Sequence, residues 1–131
     1  MLTNEQCIKV AELWGYKVEK GGPEWGSQWL FFTKGSKDDL AHSEWITLDL
    51  LQHEIHSWKG FGKTVEAMSD SGWILTEYCD GADYNPAIGF YNPNGPIGNH
   101  QRIAWYNEPD LFRNSFIEAT HLAALEAIKD K

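Results

Sequence analysis

The chain has 131 residues, enough for one domain that buries about two-thirds of its unfolded surface. Its formal net charge is -8, which argues against binding the phosphate backbone of nucleic acids in general. Neither a secretion signal nor an apolar stretch of about 20 residues is present, so no membrane span is predicted. We therefore expect a single domain over residues 1–131 in the cytoplasm, with Cys7 and Cys79 as reduced thiols.

The first third of the chain predicts a helix followed by a strand pair. A capping box begins at Thr3, and apolar residues then recur at helical spacing, which indicates a helix over residues 4–14. Tyr16 and Val18 alternate with Lys17 and Glu19, which indicates a short strand. The run 28–33 is apolar enough to form a strand buried on both faces. A Gly-Gly-Pro turn between the two strands predicts a hairpin.

The middle of the chain predicts an amphipathic helix that starts near Thr47 and is interrupted. Leu48, Leu51 and Ile55 form one apolar stripe. Because a glycine inside a helix costs about 1 kcal/mol relative to alanine, Gly60 and Gly62 predict a break or kink at Lys59–Gly62.

The last part of the chain predicts three strands and a helix. The strands are expected at Trp73–Tyr78, Ala87–Tyr91 and Arg102–Asn107, and a capping box at Ser115 is expected to open the final helix. The resulting order is α-ββ-α-βββ-α. This order predicts an α+β fold, in which a mainly antiparallel sheet is packed with helices as an alpha-beta-alpha sandwich.

Aromatic content points to binding. The chain contains seven tryptophans, and aromatic residues make up 14% of a sequence that is otherwise polar. Tryptophan and tyrosine combine a large flat apolar face with a polar group, so they suit both small cores and surfaces that hold flat ligands. Most of them are expected in the core, but their spread over several elements and loops predicts that some are exposed.

The loop over residues 92–101 is the best candidate for a small-ligand site. Its glycines and asparagines allow backbone amides to converge on an anion, and Arg102 behind it adds a bidentate positive charge. Tyr91 or Trp105 offers a stacking face. The alternative is an exposed hairpin loop without a ligand. The predicted ligand-binding residues are Trp29, Tyr91, Asn99, His100, Arg102 and Trp105.

Other candidate sites are weaker. His53 and His56 are three residues apart, which could place both on one metal ion, but neither the spacing of zinc peptidases nor a paired cysteine motif accompanies them. We interpret them as solvent-facing residues of the second helix and predict no metal and no cofactor. Acidic pairs such as Asp38 and Asp39 are interpreted as solvated charge. Without a nucleophile, P-loop or dinucleotide motif, no catalytic residues are predicted.

Several segments resemble the phage ABA sandwich domain family. They are Trp14-Gly15 after the first helix, Val65–Met68 with the following Ser69–Gly72, and the alanine-rich stretch 119–127. The resemblance covers the central helix to the C-terminus, whereas residues 35–60 and the loop at 92–101 depart from the family pattern. It implies an α+β sandwich and no enzymatic activity.

Small phage proteins of similar size and composition include anti-defence sponges of the Thoeris or CBASS type. The resemblance implies that this chain is a non-enzymatic binding protein of an infected bacterial cytoplasm. It would sequester a nucleotide-derived immune signal, such as a cyclic ADP-ribose isomer or a cyclic oligonucleotide. A homo-oligomer is expected, since a doubly apolar strand favours association. The alternative is an acidic protein-interaction module that docks onto a host or phage protein and inhibits it.

Overall fold

The computed structural model describes residues 2–21, 28–80, 85–93, 100–104 and 109–128, and within these it describes 77–80, 85–87, 100–104 and 109–115 by their backbone. A 3₁₀ helix at Lys37–His42 stands between the second and third strands. In chain order the other elements are α1 (Asn4–Leu13), β1 (Lys17–Lys20), β2 (Trp29–Lys34), β3 (Glu44–Thr47), α2 (Leu48–Ile55), α3 (Trp58–Asp70), β4 (Ile74–Asp80), β5 (Asn85–Tyr91), β6 (His100–Ala104) and α4 (Pro109–Ile128).

Contacts divide the chain into two compact units. The first spans Leu2–Ile55 and holds α1, the sheet β1-β2-β3 and α2. The second runs from His56 onward and holds α3, the sheet β4-β5-β6 and α4. Both sheets are antiparallel and have helices packed on them, which confirms the predicted α+β class. The single-domain organisation stays a prediction.

The first helix follows its local signals closely. The backbone N–H of Gln6 donates to the Thr3 hydroxyl at 3.2 Å, and the Thr3 N–H donates to the Gln6 side chain at 2.9 Å. These two bonds satisfy amides that the first turn of a helix leaves without partners. At the other end, Gly15 takes a φ of 94°, a left-handed conformation that ends the helix at little cost for a glycine.

The first sheet is built around the apolar strand β2. Phe31 pairs with Val18 of β1 and with Ile46 of β3. Because successive side chains point to opposite faces, the burial of Leu30, Phe31 and Phe32 means that β2 is buried on both faces, as predicted. Helices α1 and α2 contribute Cys7, Val10, Ala11, Leu51 and Ile55 to the buried residues of this unit.

Two predictions in the middle of the chain were wrong. No strand was predicted at Glu44–Thr47, yet β3 pairs with β2 and completes the sheet. The helix break lies at His56 and Ser57 and not at Lys59–Gly62. The physical reason is capping, since the Ser57 hydroxyl accepts the Gly60 N–H at 3.2 Å and so starts a new helix.

The second sheet packs one face against helices. Leu75 pairs with Phe90 across β4 and β5, and Ile88 is buried against Phe116 and Ala119 of α4. Phe61 of α3 packs on the same cluster. The other face of the sheet therefore lies opposite these helices, because neighbouring residues along a strand alternate between faces.

The boundaries of β6 and α4 differ from the prediction. Strand β6 spans His100–Ala104 and begins two residues earlier than expected, and the predicted strand residues 105–107 lie outside the described residues. Helix α4 begins at Pro109, so Ser115 lies inside it and the predicted capping box does not form there. Proline has no N–H and a fixed φ, which suits the first turn of a helix, where the N–H needs no partner. Glu118, the expected second member of the box, instead approaches His56.

Candidate functional site

The register of β4, β5 and β6 places three of the predicted ligand residues together. Tyr91, the last residue of β5, pairs with His100, the first residue of β6. Two residues further along, Gly89 pairs with Arg102. Directly paired residues of an antiparallel sheet share a face, and so do residues two apart on one strand. The positions of Tyr91, His100 and Arg102 therefore share the face opposite the helices.

Ile74 completes a row across the end of this sheet. It pairs with Tyr91 across β4 and β5, so the row reads Ile74, Tyr91, His100. The side chains of Ile74 and Tyr91 are 53% and 40% exposed, whereas Leu75 and Phe90 beside them face the helices. An isoleucine next to a tyrosine on an exposed row forms an apolar surface with an aromatic ring at its centre.

The next row is more enclosed. Thr76 is half-buried and Gly89 is buried, and the Thr76 hydroxyl donates to the Gly89 carbonyl at 3.3 Å. Over β4 and β5, the exposed part of this face is therefore the pair Ile74 and Tyr91. The end row adjoins the segment that leads from β5 to β6, which starts with half-buried Asn92 and exposed Pro93.

Of the other three predicted ligand residues, two lie outside the described residues and one belongs to the first unit. Asn99 and Trp105 lie outside the described residues. Trp29 belongs to the first unit, where its ring is 37% exposed and the Lys20 ammonium lies 5.9 Å from its centroid. A cation at this distance over an indole is attracted by the ring quadrupole, so Trp29 is already engaged within its own sheet.

Ile74 was missed by sequence reasoning. Its strand was predicted, but the choice of which alternate residues face outward depends on the packing of the helices. The available signal was the alternation of Trp73 and Leu75 with Ile74 and Thr76, which separates two faces without saying which is exposed. In the structure Trp73 is buried and Ile74 is exposed.

The two histidines weighed as metal ligands have separate surroundings. His53 is exposed on α2, as expected, but His56 follows the end of that helix and is not solvent-facing. Its Nε2 lies 3.3 Å from a carboxylate oxygen of Glu118 on α4. Among the described residues, no group of three histidine, cysteine or acidic side chains is arranged to hold a metal ion.

Acidic residues of the first unit take structural roles. The Lys37 N–H donates to the Glu19 carboxylate at 2.7 Å, and the Lys17 ammonium lies 3.3 Å from it. The hydrogen bond from Lys37, with help from the Lys17 charge, lowers the pKa of Glu19 below its ordinary value. Asp38 is exposed in the 3₁₀ helix, and Asp39 there lies 2.9 Å from the His42 ring.

A buried polar pair joins α3 and α4. The Thr64 hydroxyl lies 2.8 Å from Nδ1 of His121, and both residues are fully buried. A hydroxyl beside an imidazole is the arrangement of an activated nucleophile, but neither group is accessible to a substrate. We interpret the pair as a buried hydrogen bond that fixes the two helices against each other.

An aromatic cluster lies where α3 meets α4. The ring of Trp58 contacts Phe61 edge-on at 5.5 Å and Phe116 at 6.0 Å, and the two Phe rings are 5.3 Å apart. Trp58 remains 48% exposed. The cluster therefore holds one indole in a defined position at the surface.

Comparisons with known proteins found no match, so the candidate site is interpreted from its geometry. Searches against protein-family models, curated proteins and solved structures found no significant match. Within the described part of the chain, no helix is both long and apolar enough to cross a membrane.

Proposed function

We propose that this protein is a non-enzymatic binding protein that sequesters a nucleotide-derived signal. The observation that carries the proposal is the strand register, which brings the positions of Tyr91, His100 and Arg102 to one face of a three-stranded sheet. Tyrosine supplies a stacking surface for a base, and arginine supplies charge-assisted hydrogen bonds to a phosphate. These are the two recognition elements that a nucleotide requires.

The charge pattern of the chain supports a small anion over a nucleic acid. Only two arginines occur among its 131 residues, and the net charge is -8. Long phosphate backbones would be repelled by such a chain. A single phosphate group held by one arginine at a sheet end is compatible with it. The position of Arg102 belongs to the row next to the one that contains Tyr91, which supports this role.

The resemblance to phage ABA sandwich proteins gives the proposal its biological setting. On that basis the ligand is an immune signal such as a cyclic ADP-ribose isomer or a cyclic oligonucleotide, and the protein acts in the cytoplasm of an infected bacterium. Self-association into a homo-oligomer belongs to the same proposal. Light scattering at high micromolar concentration tests it, and the mass of one chain would contradict it.

Calorimetry on the full chain tests the binding proposal. We expect heat of binding with cyclic ADP-ribose, ADP-ribose or a cyclic dinucleotide. Arg102→Ala should weaken that binding about tenfold or more, because a hydrogen bond to a charged group contributes about 1.5–3 kcal/mol. The matched control is Arg113→Ala, which removes the other arginine of the chain and should leave the affinity unchanged.

The bound molecule distinguishes a sponge from an enzyme. After heat denaturation, chromatography should recover the ligand chemically intact, since sequestration breaks no bond. A released molecule of altered mass would contradict the proposal and indicate catalysis. Equal loss of affinity in Arg102→Ala and Arg113→Ala would also contradict it, because the effect would then follow total charge and not the site.

A protein-interaction module is the second candidate function. The observation that favours it is the exposure of large apolar side chains on two helices, namely Leu50 of α2 at 58% and Trp58 of α3 at 48%. Exposed aromatic residues are frequent energetic centres of protein interfaces. If no nucleotide gives heat of binding while Trp58→Ala abolishes an inhibitory effect on a partner protein, this function replaces the first.

A further inference from the structure

We propose that Ile74 is a second contact for the base of the ligand and that it selects a fused two-ring base over a single ring. This inference rests on the proposed function, because it assigns a role within the same site. It adds a specificity-determining residue that the sequence did not identify.

The end row of the second sheet brings Ile74 and Tyr91 together in one surface. Ile74 and Tyr91 are a directly paired couple on neighbouring strands. In such a pair the Cβ atoms lie about 4.5–5.5 Å apart, so the two side chains form one continuous surface. Both are exposed, at 53% and 40%, on the face opposite the helices.

The surface formed by Ile74 and Tyr91 matches the length of a fused two-ring base. Neighbouring strands are about 4.7–4.9 Å apart, so a ring stacked on Tyr91 alone covers one strand. A fused bicyclic base that lies across the strands extends from Tyr91 onto Ile74. The single ring of a pyrimidine centred on Tyr91 covers less of Ile74 than the fused base does. The second ring therefore gains apolar contact beyond that of a pyrimidine.

The order of the row sets the direction of the ligand. Ile74 stands on the β4 side of Tyr91, and the positions of His100 and Arg102 stand on its β6 side. The base accordingly extends toward β4, and the sugar and phosphate extend toward β6. The apolar and cationic ends of the site are separated by Tyr91, as the two ends of a nucleotide are separated by its glycosidic bond.

The side chain of Ile74 is suited to hold a flat ring. Isoleucine is branched at Cβ, which restricts its χ1 rotamers and reduces the entropy lost when a ligand is bound. Its backbone is fixed by pairing with β5, and the preceding residue, Trp73, is buried. The exposed methyl groups are therefore presented by a rigid element, which favours precise recognition.

Calorimetry with three probes of equal charge type tests the inference: adenosine 5′-monophosphate, uridine 5′-monophosphate and ribose 5-phosphate. Wild-type protein should bind the adenosine compound about tenfold more tightly than the uridine compound, and ribose 5-phosphate most weakly. Ile74→Ser should weaken adenosine binding about tenfold and remove the preference, while Ile74→Val should retain most of it. The affinity for the uridine compound should not change.

Two controls separate the possible failures. Leu50→Ser alters an equally exposed apolar residue of the first unit and should leave all three affinities unchanged. The melting temperature of Ile74→Ser should match that of the wild type. If wild-type protein binds none of the three probes, the proposed function fails together with this inference. If it binds adenosine and uridine compounds equally, or if Ile74→Ser keeps the preference, only the role of Ile74 is overturned.

Discussion

The two sheets of this protein have the same number of strands and the same antiparallel order, but they differ at the exposed end of the central strand. In the first sheet, consecutive residues Leu30, Phe31 and Phe32 are all buried, so both faces of β2 are covered. In the second sheet, three consecutive residues of β5, Ile88, Gly89 and Phe90, are buried as well. The two sheets differ in the residue that pairs with the exposed aromatic end of the central strand, since Trp29 of β2 pairs with Lys20, whereas Tyr91 of β5 pairs with exposed Ile74. The first sheet therefore ends in an indole that contacts a lysine ammonium, and the second ends in an exposed apolar pair, which is where we propose a ligand contact.

Truncating one residue in each sheet gives the largest contrast. Phe31→Ala removes a fully buried ring and should lower the free energy of unfolding by about 3–5 kcal/mol. Ile74→Ala removes an exposed side chain and should change it by about 0.5 kcal/mol or less. Urea denaturation followed by tryptophan fluorescence measures both. Similar losses in the two variants would show that the end row of the second sheet is structural.

A pair of glycine substitutions tests how tightly the first sheet is closed. Gly35, which follows β2, has a φ of 87°, and an added Cβ would lie 2.9 Å from the Cα of Ser43. Gly15 has a φ of 94°, but an added Cβ would meet nothing within 4 Å. Gly15→Ala should therefore cost about 1–2 kcal/mol for its conformation alone. Gly35→Ala should cost about 1–3 kcal/mol more, because Ser43 must move.

One outcome would contradict the prediction for Gly35→Ala. Ser43 connects to the same turn through hydrogen bonds, since its hydroxyl donates to the Ser36 carbonyl and accepts the Ser36 N–H, both at 3.0 Å. If thermal denaturation gave equal melting temperatures for Gly35→Ala and Gly15→Ala, this turn would be free to adjust. That result would show that the turn between Gly35 and Ser43 is not tightly packed.

The helix side of the second unit is tested by two buried threonines. Thr64→Val removes the hydroxyl that contacts His121 and should cost about 1–3 kcal/mol, because a buried imidazole nitrogen loses a partner. In the control Thr120→Val, the lost bond is to the Phe116 carbonyl four residues earlier in the same helix. That carbonyl also accepts a helical N–H, so a change of about 0.5 kcal/mol or less is expected. Equal losses in chemical denaturation would contradict the role of the Thr64–His121 bond.

The smallest expected effect is a pH dependence in the first unit. The pKa of Glu19 is lowered in the folded protein, so its contribution to stability is present above the unfolded pKa and is lost as pH falls through the folded pKa. In Glu19→Gln this titration is absent. The fall in melting temperature between about pH 5 and pH 3 should therefore be smaller than in the wild type. Glu12→Gln, on the exposed face of α1, should behave as the wild type does.

Local signals in the sequence were sufficient for several elements. The capping box at Thr3, the left-handed Gly15 and the doubly buried run of β2 were all predicted and confirmed. Each depends on residues within a few positions of one another. For the site, Tyr91, His100 and Arg102 were identified because they surround one glycine- and asparagine-rich segment.

Other features depended on residues far apart in the chain. Strand β3 forms because it pairs with β2. Its four residues show little periodicity, so they did not predict a strand. Ile74 joins the site through pairing with Tyr91, seventeen positions later in the sequence.

The sequence by itself determined the α+β class, the position of most elements and the acidic, aromatic-rich character of the chain. These follow from short-range periodicity, capping and composition, which need no knowledge of the fold. Only the tertiary structure decided which face of β4 and β5 is covered and which residues stand in the same row. The reason is that a strand presents its two faces alternately, so exposure and neighbourhood are set by the register with the next strand and by the helices that pack on one side.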